Sequence, residues 1–124
     1  MLLLYSPTDP SAAPKGSIRR TIFDRYRELG LASLPNTGDN GVHASASPFE
    51  GLAEKSNWLG KKVEEDAFGG ALLRAGFSKD RISAWFKDPQ IKIDMSRTGS
   101  VFDSLEDMDV DECLQKLTKL NKLN

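Results

Sequence analysis

His43 and Cys113 are each the only residue of their kind in this 124-residue chain, and most metal or nucleophile chemistry would have to pass through them. A zinc site built from His and Cys takes several such ligands, so one chain does not furnish it. A Ser-His-Asp or Cys-His arrangement needs a base held firmly in place. His43 falls instead within residues 34–47 (LPNTGDNGVHASAS), which show neither a helical nor an alternating period and read as a linker. There it reads as a solvated or partner-bound histidine; the alternative is a ligand to a metal or porphyrin-type pigment held by a partner. Cys113 lies on the apolar stripe of a C-terminal helix, as a buried small hydrophobe would.

Carboxylates are more plentiful. Asp107, Asp109 and Asp111 alternate like the opening of a calcium loop, but the sixth position is Glu112 and the twelfth Thr118, where glycine and glutamate are needed. Glu64-Glu65-Asp66 and Asp107-Met108-Asp109 offer paired acids of the kind that general acid–base work uses. Here each sits at a helix start, where acids are stabilising without any reaction to perform. Gly69-Gly70 and Gly76 do not make a phosphate loop, since no strand precedes them and no Lys-Ser/Thr follows. No catalytic signature emerges, so the sequence is read as that of a non-enzyme without a cofactor.

One constellation points to nucleic acid. From Ala71 to Phe86 a helix, Gly76, the cap Ser78 and inward Ile82 and Trp85 follow a spacing similar to the helix-turn-helix of DNA-binding domains. Lys79, Arg81 and Lys87 alternate with Asp80 and Asp88, however, and no Asn or Gln lies between them. Phosphate contacts would be few. A structural helix corner is the favoured reading and a DNA-binding or regulatory domain the alternative.

The elements that would position these residues divide the chain. Residues 1–47 read as an extended arm with one amphipathic helix, and residues 48–124 as a small all-α bundle of four to five short helices. In the arm, three prolines within 6–16 favour extended backbone. Ser17 caps a helix over about 18–29. Its stripe is Ile18, Ile22, Tyr26 and Leu29 with Phe23 beside it; Arg19, Arg20, Arg25 and Arg27 occupy the rest of its surface, and Gly30 is its C′ residue. In the bundle, Ser47-Pro48-Phe49-Glu50 starts a helix with Phe49, Leu52, Ala53, Ser56 and Leu59 inward. A second opens at Glu64 and buries Val63, Ala67, Phe68, Ala71, Leu72 and Ala75. The cost of Gly69-Gly70 within it implies close approach of another backbone. Ser78 caps a third, with a Phe77–Ile82 staple, ending at Asp88-Pro89. Residues 91–95 alternate as one extended piece without a visible partner. A short fourth helix from Ser100 carries Val101, Phe102, Leu105 and Met108. Asp109 and Glu112 cap the last, with Val110, Cys113, Leu114, Leu117 and Leu120 inward.

Seventeen basic against eighteen acidic residues exclude a generally basic nucleic-acid binder, and residues 48–124 hide no basic domain, with twelve and fourteen. No run approaches the roughly 20 apolar residues of a membrane span. Met1-Leu2-Leu3-Leu4-Tyr5 is too short for a secretory signal, and a lone cysteine gives no secreted scaffold. Ser, Ala, Pro and Arg enrichment up to Arg20 suggests a transit sequence, against which Asp9 counts.

The arm outside its helix buries too little apolar surface to offset ordering. These features lead to an expected non-catalytic accessory or linker subunit of a multi-protein assembly. Its partner-binding residues would be Ile18, Arg19, Arg20, Ile22, Phe23, Tyr26, Leu29 and an exposed Trp58. Its partners would be other subunits, with lipid head groups or partner-bound pigments as further contacts for the arginines. An intracellular and organellar setting is expected, a plastid before a mitochondrion, and a photosynthetic supercomplex in particular.

Overall fold

Five side chains decide where the helices begin. In the computed structural model, which describes residues 6–124, each α-helix opens on an oxygen that accepts from the first-turn backbone. Ser17 caps α1 (Ile18–Asp24), Ser47 caps α2 (Pro48–Leu59), and Asp66 caps α3 (Ala67–Arg74). Ser78 caps α4 (Lys79–Trp85), and Asp109 with Glu112 forms a capping box at α5 (Val110–Leu123). Glycines with positive φ close α2 at Gly60 and α3 at Gly76, where the bond Phe77 N–H to Leu72 O completes a Schellman turn; Gly30, with Leu31 N–H to Tyr26 O, closes the turns that follow α1 in the same way. The opening run Met1–Tyr5 lies outside the described residues.

The chain divides into two compact units, residues up to Ala44 and Ser45–Asn124. The second is mostly helical, and its core holds Phe49, Leu72, Ile82, Leu105, Leu117 and Leu120, all essentially sealed from solvent. Phe49 packs at 5.4 Å from Phe86 and 6.1 Å from Phe102, and Phe77 meets Trp85 edge-on at 5.8 Å. Each such side chain contributes about 1.5–3 kcal/mol on burial. Both members of the Phe77–Ile82 staple are buried.

The purely helical expectation needs correction here. Gln90–Lys92 (β1) pairs antiparallel with Thr98–Ser100 (β2), Ile91 facing Gly99. The turn is folded by Asp94, whose Oδ1 accepts from Ser96 N–H and Arg97 N–H, both at 2.9 Å. A Cβ on Gly99 would collide with the Ile93 side chain, so glycine lets the hairpin close. Asn124 extends the ladder from outside, accepting from Lys92 N–H and donating to Lys92 O. The expected fourth helix is only a 3-10 turn, Asp103–Leu105. Glu64 and Glu65 belong to another such turn, Val63–Glu65, and α3 starts after Asp66. Leu59, Val110, Ala67 and Ala75 were assigned inward, but all four are exposed.

The first unit also differs from its expected form. Residues 9–17 turn repeatedly instead of running extended, with Ala12 N–H to Asp9 O and Ser17 N–H to Pro14 O. The continuous helix ends at Asp24, and turns carry the chain to Gly30.

Candidate functional site

Arg19 was placed on the open surface of its helix, and the structure buries it. It is 7% exposed, and its guanidinium gathers segments far apart in sequence. Nε donates to Asn40 Oδ1 at 3.1 Å, Nη1 to Ser6 O, Ser6 Oγ and Pro7 O at 2.6–2.8 Å, and Nη2 to Val42 O at 3.2 Å. Asn40 adds its own amide, donating to Thr8 O and Thr37 O. The prolines and glycines of this unit leave carbonyls without ladder partners, and a planar five-donor fork satisfies several at once. A cleft of about 530 Å³ opens beside this hub, lined by Ser6, Thr8, Arg19, Thr37, Asp39 and His43 among others. No sequence period predicted the hub, because most of its acceptors are backbone oxygens.

This unit buries polar side chains beside small apolar ones and leaves several aliphatic side chains exposed. Among the described residues its buried ones are Pro10, Ala13, Ser17, Arg19, Pro35 and Asn40. Ile18, Leu29, Leu31 and Leu34 are instead 43–53% exposed. Of the arm residues singled out from sequence, Ile22, Phe23 and Tyr26 are half-buried. Arg20 is engaged with Asp24 at 2.8 Å and lies over the Phe23 ring.

The second unit offers a separate surface. Trp58 is 79% exposed and Leu59 76%. Pro48, Gly51, Lys55, Trp58 and Leu59 recur at three- and four-residue steps, so they share one face of α2. Three of them, Pro48, Gly51 and Lys55, also line an apolar groove of about 360 Å³ with Ala67, Phe68, Ala71 and Val110. On its rim Lys55 Nζ meets Asp66 Oδ2 at 2.9 Å. Burial raises the Asp66 pKa, but the Lys55 ammonium and the N–H groups of Gly69 and Phe68 outweigh it and hold the carboxyl below its usual value. A depressed folded pKa stabilises above the unfolded value and is lost as pH falls through the folded one. Asp66→Asn is therefore expected to abolish a stability loss below about pH 4, costing about 1 kcal/mol or less at pH 7. Urea unfolding from pH 3 to 7 measures this; an unchanged acid dependence would remove Asp66 as its source.

The helix corner spends its cations internally. Lys79 pairs with Glu64 at 2.8 Å; Arg81 donates to Asn124 O and lies 5.6 Å over Trp85. Trp85 and Ile82 face the core. Cys113 is fully buried, which pushes its thiol up to about 11 and withholds the nucleophilic thiolate. No helix among the described residues is long and apolar enough to cross a membrane.

Comparison with protein-family models, curated proteins and solved structures finds no match to this chain.

Proposed function

We propose that the chain is a non-catalytic accessory subunit of a larger protein assembly, docking through the aliphatic exterior of its N-terminal unit and through the Trp58 face of α2. The observation that carries this reading is that the first unit buries Arg19 and Asn40 while Ile18, Leu29, Leu31 and Leu34 stay about half exposed. Exposed aliphatic groups gain about 25 cal/mol for each Å² that a partner covers. The polar hub ties α1, which carries Ile18, to residues 6–8 and 37–42, so less ordering cost attends docking there. Trp58 supplies an aromatic anchor of the kind that dominates interface energies.

The test is size fractionation of gently lysed source cells. The tagged chain is expected to run with a large complex. Ile18→Glu with Leu29→Glu, both at exposed positions, should release it to the size of the free chain, and Trp58→Ala should loosen it further. A parent chain that already runs at its free size would defeat the proposal.

A further inference from the structure

We infer that Ser6 is a phosphorylation site whose phosphate is captured by Arg19. The chain has two Ser-Pro steps, the pair that proline-directed kinases take in extended form, and the structure treats them differently. Ser47 is buried, and its Oγ accepts from Glu50 N–H as the cap of α2. Ser6 is half-buried and lines the 530 Å³ cleft, so its Oγ has space into which a phosphoryl group can grow. That oxygen already lies 2.6 Å from Arg19 Nη1.

The receiving charge is in place too. Among the described residues, every hydrogen bond from Arg19 ends on a neutral oxygen, and Nη1 divides two hydrogens among three acceptors. A buried guanidinium served only by neutral dipoles favours an anion strongly over a hydroxyl. In the reaction Ser6 Oγ attacks the γ-phosphorus of a nucleoside triphosphate on the kinase. The Oγ–P bond forms, the bond to the leaving nucleoside diphosphate breaks, and the hydroxyl proton passes to the kinase base. The product carries a charge of about −1.5 to −2 against Arg19. Asp39, which lines the same cleft, opposes this without sharing the guanidinium. Residues 6–8 would then be fastened to α1 by a charge-assisted pair, tightening the unit that carries the exposed aliphatics.

The full chain and a synthetic peptide of residues 1–16 are each incubated with a proline-directed kinase and ATP, and the sites mapped by tandem mass spectrometry. Both should be labelled at Ser6, with Ser47 untouched in the chain. Phosphorus NMR should then show a phosphoserine pKa about one unit below the value near 6 of the peptide, a difference that shrinks in Arg19→Lys. Amide exchange at Thr8, Asn40 and Val42 should slow on phosphorylation. No label at Ser6 in the folded chain overturns the proposal, as does a phosphoserine titrating alike in chain, Arg19→Lys variant and peptide.

Discussion

Gly69→Ala is expected to lower the thermal midpoint of the chain by about 10 °C, while Gly70→Ala beside it leaves the midpoint unchanged or raises it. The two glycines are adjacent in α3 but meet different neighbours. A Cβ on Gly69 would sit 2.1 Å from Val63 O and 2.9 Å from Val63 C, inside the backbone of the 3-10 turn before the helix. Relief requires that turn and α3 to part, disturbing buried Val63 and Phe68 together. Overpacking of this kind costs about 1–3 kcal/mol or more, beyond the ~1 kcal/mol that alanine gains in helix propensity. At Gly70 the nearest atom is Arg74 Nη1 at 3.3 Å, the far end of a flexible side chain. It can swing away, so the propensity gain remains. Circular dichroism melts of the two variants check this. A shift of the same sign and size in both would show that the Val63 carbonyl does not govern the site.

The glycine pair also marks how far sequence reasoning reached. Close backbone approach was expected from two helix-breaking residues inside an apolar period, and at Gly69 the partner is the carbonyl of Val63. At Gly70 that expectation fails, because only a side chain is near. Caps were legible for the same reason that they are local: Ser17, Ser47, Ser78 and Asp109 bond within three residues of themselves. Asp66 was read as one acid in a helix's first turn and is its cap, displaced by the 3-10 turn that precedes it. The hairpin was half visible. Ile91 and Ile93 alternate, but β2 is Thr98-Gly99-Ser100, whose composition suggests a loop, and its pairing rests on the Asp94 turn. Val101 and Leu105 suggested a helix, although Asp88 reaches back to bond Ser100 Oγ and Phe102 N–H and turns the chain instead. Exposure of Trp58 follows from its position off the apolar stripe of α2; exposure of Leu59, on that stripe, does not. The helix ends at Gly60 before the core reaches it. The Arg19 hub was hidden altogether. Three of its five acceptors are main-chain oxygens 12 to 23 residues away, and main chain has no sequence signature; the other two, Ser6 Oγ and Asn40 Oδ1, sit in stretches without a period.

Arg19→Met is expected to unfold the N-terminal unit while the helical unit stays folded. Methionine keeps much of the length and apolar stem of the side chain and removes the fork, so the effect reads the hydrogen bonds instead of lost bulk. Ser6 O, Pro7 O and Val42 O lose their charged donor together, and Asn40 Oδ1 keeps only Val42 N–H. Bonds to a charged group are worth about 1.5–3 kcal/mol each, and even with strong non-additivity the loss should reach about 3 kcal/mol. Among the described residues this unit buries no large apolar side chain to absorb that; its buried side chains other than Arg19 are all small. At a size near 40 residues a chain has little to hold it without such a tie. Ser45–Asn124, by contrast, has its own aromatic and aliphatic core and no part in the Arg19 network. Arg19→Lys should fall between, because an ammonium keeps the charge but cannot span Asn40, Ser6 and Val42 at once. Amide exchange resolves the three chains residue by residue. In Arg19→Met, the bonded amides of Asp39 and Val42 should exchange at unfolded rates while Leu72 and Leu117 remain protected. Equal protection of Asp39 and Val42 in the parent and in Arg19→Met would mean that the turns of this unit hold themselves, and that the guanidinium only occupies the space they leave.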